Sequence, residues 1–211
     1  MSGFDAARLS RIAGWMQSHV DQRRFAGASV LIAQGGDEVY YHQSGHRDVA
    51  ADLSWERDTV ARIYSMTKPV TSLALMMLAE EGLLHLDAPV SEFLPCFGDM
   101  TCLIPGATSA DQVEPCATPT LHQLLTHTSG LSYAFNPGLL GALMAERKIE
   151  FRPNQSSLAQ MCDALAELPL AFHPGTRWEY SVGIDVIGRV VEVITGQTLE
   201  QVFTQRIFDP L

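Results

Sequence analysis

The chain has 211 residues, 46% of them hydrophobic and 18% charged, with a formal net charge of −10. That balance supports a buried core in one domain or two small ones and excludes a disordered chain. The acidic excess argues against nucleic acid and anionic membranes as partners, and the longest apolar run, Leu73–Ala79, falls far short of the roughly 18 residues that span a bilayer.

At the start of the chain, Asp5, Arg8 and Arg11 occupy the place where a secretion signal needs an apolar stretch, so the reading is a cytoplasmic protein. Phe4–Val20 reads as an amphipathic helix, with Leu9, Ile12, Met16 and Val20 at steps of three and four. Ser29–Ala33 and Val39–Tyr41 flank Gly35-Gly36-Asp37, the pattern of a β-hairpin. Thr59–Ile63 reads as another short extended segment. After Pro69 a buried helix is expected, marked by Leu73, Met76 and Met77 and ending at Gly82.

Five prolines between Asp87 and Pro119 predict long surface loops with short helices. Beyond them three helix starts carry capping boxes, Thr120–Gln123, Ser157–Gln160 and Thr198–Gln201. The helix after Ser157 shows Leu158, Met161, Leu165 and Leu168 on one face, and another is marked by Val182, Val186, Val190 and Val193 and closed by Gly196. A helix and hairpin followed by mainly helical sequence gives an α+β class. Residues 1–83 are expected to hold the N-terminal helix, the hairpin and the helix after Pro69, and residues 84–211 a mainly helical region. Cys96, Cys102, Cys116 and Cys162 match no C-x-x-C metal or redox spacing and are expected as free thiols.

The chemistry suggested by the sequence centres on Ser65 and Lys68. A serine needs a base to become a nucleophile, and a lysine serves if burial lowers its pKa. The S-x-x-K spacing at a helix start places both side chains on one face, and the helix N-terminus favours a developing oxyanion. The spacing alone is weak evidence. Equally open is a solvent-facing Lys68 in a first helical turn that Ser65 merely caps.

The surrounding text is more specific. Ile63-Tyr64-Ser65-Met66-Thr67-Lys68-Pro69-Val70-Thr71, Glu81–Val90, Leu124-Leu125-Thr126-His127-Thr128-Ser129-Gly130-Leu131 and Pro174-Gly175-Thr176-Arg177-Trp178-Glu179-Tyr180-Ser181 follow one another in order. In this order they resemble the serine β-lactamase, DD-peptidase and class-C-like esterase superfamily, from about residue 10 to the last residue. The resemblance implies an antiparallel sheet flanked by helices plus a helical region. It implies Ser65 as nucleophile, Lys68 and Tyr180 as proton-handling partners, the Ser65 backbone N–H as an oxyanion donor, and no metal or cofactor. Two residues after the tyrosine the lactam-handling branch carries asparagine, where this chain has Val182. A small-molecule ester is therefore the expected substrate. A lactam or D-Ala-D-Ala-type hydrolase and a non-catalytic recognition module are the rival readings.

His127 is read as structural, and His173-Pro174-Gly175, an H-x-G in the wrong place, is rejected as the superfamily's third motif. That motif is expected downstream of Tyr180 and is not found before the chain ends at Phe208-Asp209-Pro210-Leu211. The expectation is thus an N-terminal half of the fold, inactive by itself, with a C-terminal half or a complementing chain to complete it.

Overall fold

The computed structural model describes residues 3–149 and 156–211, in two compact units, Met1–Ile63 and Tyr64–Leu211. The division falls at 63/64, not after residue 83, because the helix that follows Ser65 buries its apolar face within the second unit.

In the first unit, helix α1 (Ala6–Asp21) is capped by the Asp5 carboxylate, which accepts from the Ala7 and Arg8 amides. It packs against a three-stranded antiparallel sheet in the order β1 (Gly27–Gln34), β2 (Asp37–Asp48), β3 (Leu53–Ser54). Gly35 and Gly36 both adopt positive φ, 62° and 91°, which a two-residue hairpin turn with the twist of its strands requires. The hairpin extends beyond its apolar stretch: Gly27 pairs with Gly45 and Ser29 with Gln43, so the ladder carries the polar end of β2. Thr59–Ile63, expected to be extended, forms no strand; Val60 is 98% exposed, so neither a ladder nor burial fixes it.

The second unit is built around helix α6 (Gly183–Thr195). It is packed by α2 (Thr67–Glu80), α3 (Leu121–Leu125), α5 (Leu158–Ala166) and α7 (Leu199–Phe203). Val182, Val186, Ile187, Val190 and Val191 are all buried, one stripe at helical spacing. Gly196 ends α6 in the left-handed region, as its position predicts. Val193 departs from the expected face: it is 40% exposed, because a step of three from Val190 turns it past the seam.

In α2 the buried residues are Thr71, Ala74, Leu75 and Leu78, whereas Leu73 and Met76, taken from sequence as core markers, are exposed. The helix ends in a Schellman turn, with the Leu83 amide donating to the Leu78 carbonyl and Gly82 at φ 75°. All three capping boxes form as expected.

The proline-rich stretch is not a set of surface loops. Val90, Leu94, Phe97, Met100 and Cys102 are buried and join the core. Two strands missed in the sequence, β4 (Thr101–Leu103) and β5 (Val113–Pro115), pair within it. Three-residue strands are too short to show a period. Helix α4 (Leu139–Glu146), also unanticipated, places Leu140 and Met144 in the same core. Gly130 marks a close crossing: at φ 86°, a Cβ there would lie 2.5 Å from the Phe172 carbonyl oxygen.

The two sides of α6 differ in cost. Ile187→Ala removes fully buried methyls and is expected to destabilise by about 2–5 kcal/mol, whereas Val193→Ala stays within about 0.5 kcal/mol. Urea unfolding monitored by circular dichroism measures both, and equal losses would contradict the seam.

Candidate active site

Ser65 lies in a single 3-10 turn, Tyr64–Met66, that runs directly into α2. Tyr64 enters it with φ 46°, a left-handed conformation that costs a non-glycine residue about 1–2 kcal/mol. Pro69 is the third residue of α2, where no intrahelical partner for its missing N–H is needed. Three residues after Ser65, on the same face, the Lys68 ammonium donates to Ser65 Oγ at 3.5 Å and to Tyr133 Oη at 2.8 Å.

Tyr180 approaches from the segment before α6, and its hydroxyl donates to Ser65 Oγ at 2.8 Å. That segment is held on two sides. His127, itself at φ 57°, accepts the Glu179 amide on its carbonyl (2.8 Å) and the Ser181 amide on Nδ1 (3.2 Å). Its ring lies 4.7 Å from that of Tyr180. Asn136 Nδ2 donates to the Tyr180 carbonyl at 2.8 Å, and the Ser132 hydroxyl to the Glu179 carboxylate at 2.5 Å.

The charges follow from this geometry. Burial pulls the Lys68 pKa down, but hydrogen bonds to Tyr133 and Tyr180 more than offset it, and the net shift is upward. This reverses the expectation that burial frees the Lys68 amine as a base. For Tyr180, burial pushes the phenol up, while the Ser65 hydrogen bond and the Lys68 ammonium pull harder, and the net shift is downward. Tyr133 goes the other way, since burial outweighs its bond to Lys68 and keeps it a neutral phenol. Asp185, in the first turn of α6, is raised by burial and drawn back in part by Lys68. His127 is depressed by burial and by Lys68, which favours the neutral ring that accepts from Ser181.

The sequence-predicted Ser65, Lys68 and Tyr180 therefore converge. Tyr133 completes the group and was missed; it lies two residues beyond the His127–Leu131 landmark, where no period or spacing distinguishes it from a core tyrosine. Val182, at the position of the lactam branch's asparagine, is buried and faces the core. A cavity of about 250 Å³ is walled by Asn136, Pro137, Trp178, Glu179 and Tyr180. A larger one, about 370 Å³, shares Pro137 and Glu179 with it but has none of the converging hydroxyls in its wall.

Comparison with known proteins gives a consistent picture. The Beta-lactamase family model matches residues 12–211. Esterase EstB of Burkholderia gladioli is 36% identical over 211 residues, covering 98% of this chain and 51% of that protein. Lovastatin esterase of Penicillium rubens is 35% identical over 204 residues, covering 92% of this chain and 49% of that protein. The solved structure of EstCE1, described as a hydrolase with promiscuous acyltransferase activity, superposes with a TM-score of 0.82 at 32% identity, covering 97% of this chain and 51% of that one. The chain spans about half the length of the curated relatives it matches.

Only Lys68 and Lys148 are lysines, so their side-chain signals are separable by nuclear magnetic resonance. Tyr133→Phe removes a hydrogen bond that raises Lys68, so the Lys68 titration midpoint is expected to fall. An unmoved Lys68 would mean that Tyr133 does not hold it.

Proposed function

Since the chain belongs to the beta-lactamase family, we propose that it supplies the nucleophile and proton-handling groups of a serine ester hydrolase working through an acyl-enzyme. The observation that carries this reading is the 2.8 Å contact between Tyr180 Oη and Ser65 Oγ beside the Lys68 ammonium. The relatives named as esterases support the substrate class.

In the proposed reaction Tyr180, as phenolate, takes the Ser65 proton along that contact. Ser65 Oγ then forms a bond to the ester carbonyl carbon. The Ser65 backbone N–H, in the turn that leads into α2, is the proposed donor to the oxyanion. Collapse breaks the bond to the alcohol oxygen, which leaves with the proton held by Tyr180. Water, deprotonated by the same phenolate, attacks the acyl-enzyme; the acyl–Oγ bond breaks, Tyr180 returns the proton to Ser65 Oγ, and the acid leaves. An alcohol in place of water gives acyl transfer through identical steps. Lys68 stays an ammonium throughout, fixed by Tyr133, and its charge keeps the phenolate accessible.

Esters fit this arrangement better than lactams. Val182 offers no amide to an acylamino chain, and an alkoxide leaves more readily than an amine. In the full-length protein, Ser65→Ala is expected to lower kcat/KM for a nitrophenyl butyrate by at least about 10³-fold, and Tyr180→Phe by about 10²–10⁴-fold. Full turnover in Ser65→Ala would end the proposal. A chromogenic cephalosporin turned over faster than the ester would favour the lactamase reading instead.

The pH profile follows from the directions of the two shifts. Activity tracks the phenolate, so it should rise with pH through a midpoint below the ordinary phenol value of 10. It should fall once Lys68, raised above 10.5, loses its proton. Lys68→Met should move the rising limb to higher pH, and an unchanged profile in that variant would remove Lys68 from the proton chemistry.

A further inference from the structure

A second cluster of reactive side chains belongs to none of this chemistry. Cys102 Sγ, a Glu114 carboxylate oxygen and a His173 ring nitrogen all lie within 4.8 Å of one another. Cys102 and Glu114 are direct partners across the β4–β5 ladder. Side chains alternate along a strand, so Cys116, two residues beyond Glu114, stands on the same face and diagonal to Cys102.

We propose that Cys102, Glu114 and His173 form a binding site for a thiophilic divalent cation, with zinc as the fitting ion. A thiolate, an imidazole and a carboxylate are three zinc ligands that leave the fourth position to water, and the soft sulfur selects against magnesium and calcium. At ordinary zinc–ligand lengths the ligand atoms of a tetrahedron stand about 3.3–3.8 Å apart, so Cys102 Sγ has to approach by at most about 1 Å while the His173–Glu114 pair opens slightly. His173 Nε2 and Glu114 Oε1 are hydrogen-bonded at 2.9 Å, and a cation bound between them replaces that bond. The Cys102 thiol gives its proton to solvent on binding.

The backbone around the cluster is fixed in advance. The Leu103 amide donates to the Leu170 carbonyl (2.9 Å) and the Leu170 amide to the Thr101 carbonyl (2.8 Å), which ties the His173 segment to β4. The Thr176 amide and hydroxyl both donate to the His173 carbonyl. Cys102 is buried behind the cluster, while Glu114 and His173 line the open 370 Å³ cavity and give an ion access. Three chain segments supply the ligands, which is why no C-x-x-C spacing announces them.

The test uses the full chain, reduced, stripped with a chelator, loaded with Zn²⁺ and desalted, followed by metal analysis. One zinc per chain is expected, and cobalt loading should give a thiolate-to-metal absorption band. His173→Ala and Glu114→Gln, at half-exposed positions that preserve the fold, should each weaken zinc binding at least about tenfold. Cys102→Ser should abolish the cobalt–thiolate band, with circular dichroism checking that this buried position still folds. Cys96→Ser, at an exposed cysteine outside the cluster, should change neither. Zinc lost on desalting, or retained equally by wild type, His173→Ala and Cys102→Ser, would overturn the site. So would a Cys102–Cys116 disulfide that persists under reductant and leaves no metal binding.

Discussion

One hydrogen bond, from Tyr180 to Ser65, joins residues 115 apart in the chain. It depends on a larger constraint, the packing of α2 against α6 along an apolar seam of Ala74, Leu75, Leu78, Val186, Ile187 and Val190. Each fully buried Val, Leu or Ile contributes on the order of 1.5–3 kcal/mol. The seam is therefore stiff relative to the single polar contact at its end. The helices begin at the same end of that seam, and the turns that lead into them carry the two hydroxyls. His127 keeps its left-handed backbone because the Glu179 and Ser181 amides both bond to it.

The electrostatics at that point is a division of labour. A lysine surrounded by phenols is more easily kept charged than neutralised, and the charge it keeps is what makes one of those phenols acidic. Burial distinguishes the two: Tyr133 is deep enough for desolvation to win, while Tyr180 lies close to Ser65 and solvent, where hydrogen bonds win. The same residue types thus hold opposite protonation preferences a ring's width apart, with centroids 5.4 Å from one another.

Local signals were legible in the sequence wherever local physics decides the outcome. Three capping boxes, the Gly35-Gly36 turn, the Gly82 and Gly196 helix ends and the S-x-x-K start all depend on residues within one turn of one another. The errors lie where tertiary contacts decide. Leu73 and Met76 satisfy apolarity but not the orientation of α2, and Val193 fits a valine series but not the seam. Asp87–Pro119 looks like loop by composition, yet Val90 and Phe97 are anchors of the core. The site divides in the same way. Ser65, Lys68 and Tyr180 stand in recognisable text, whereas Tyr133 is identified only by where the turn after Gly130 delivers it, and the sign of the Lys68 shift only by its neighbours.

The crossing at Gly130 has a mechanical meaning. Residues 127–136 and 171–182 are stitched together by backbone bonds from Ala171 to Gly130, Gly175 to Thr128 and Glu179 to His127, and by Asn136 to the Tyr180 carbonyl. One of these strips carries Tyr133 and the other Tyr180, so the two phenols that grip Lys68 share a single mount. Remodelling one wall of the neighbouring cavity would shift both at once. The Tyr133, Tyr180 and Lys68 group would then move as a rigid cassette, and its acidity would be retuned together with its shape rather than residue by residue.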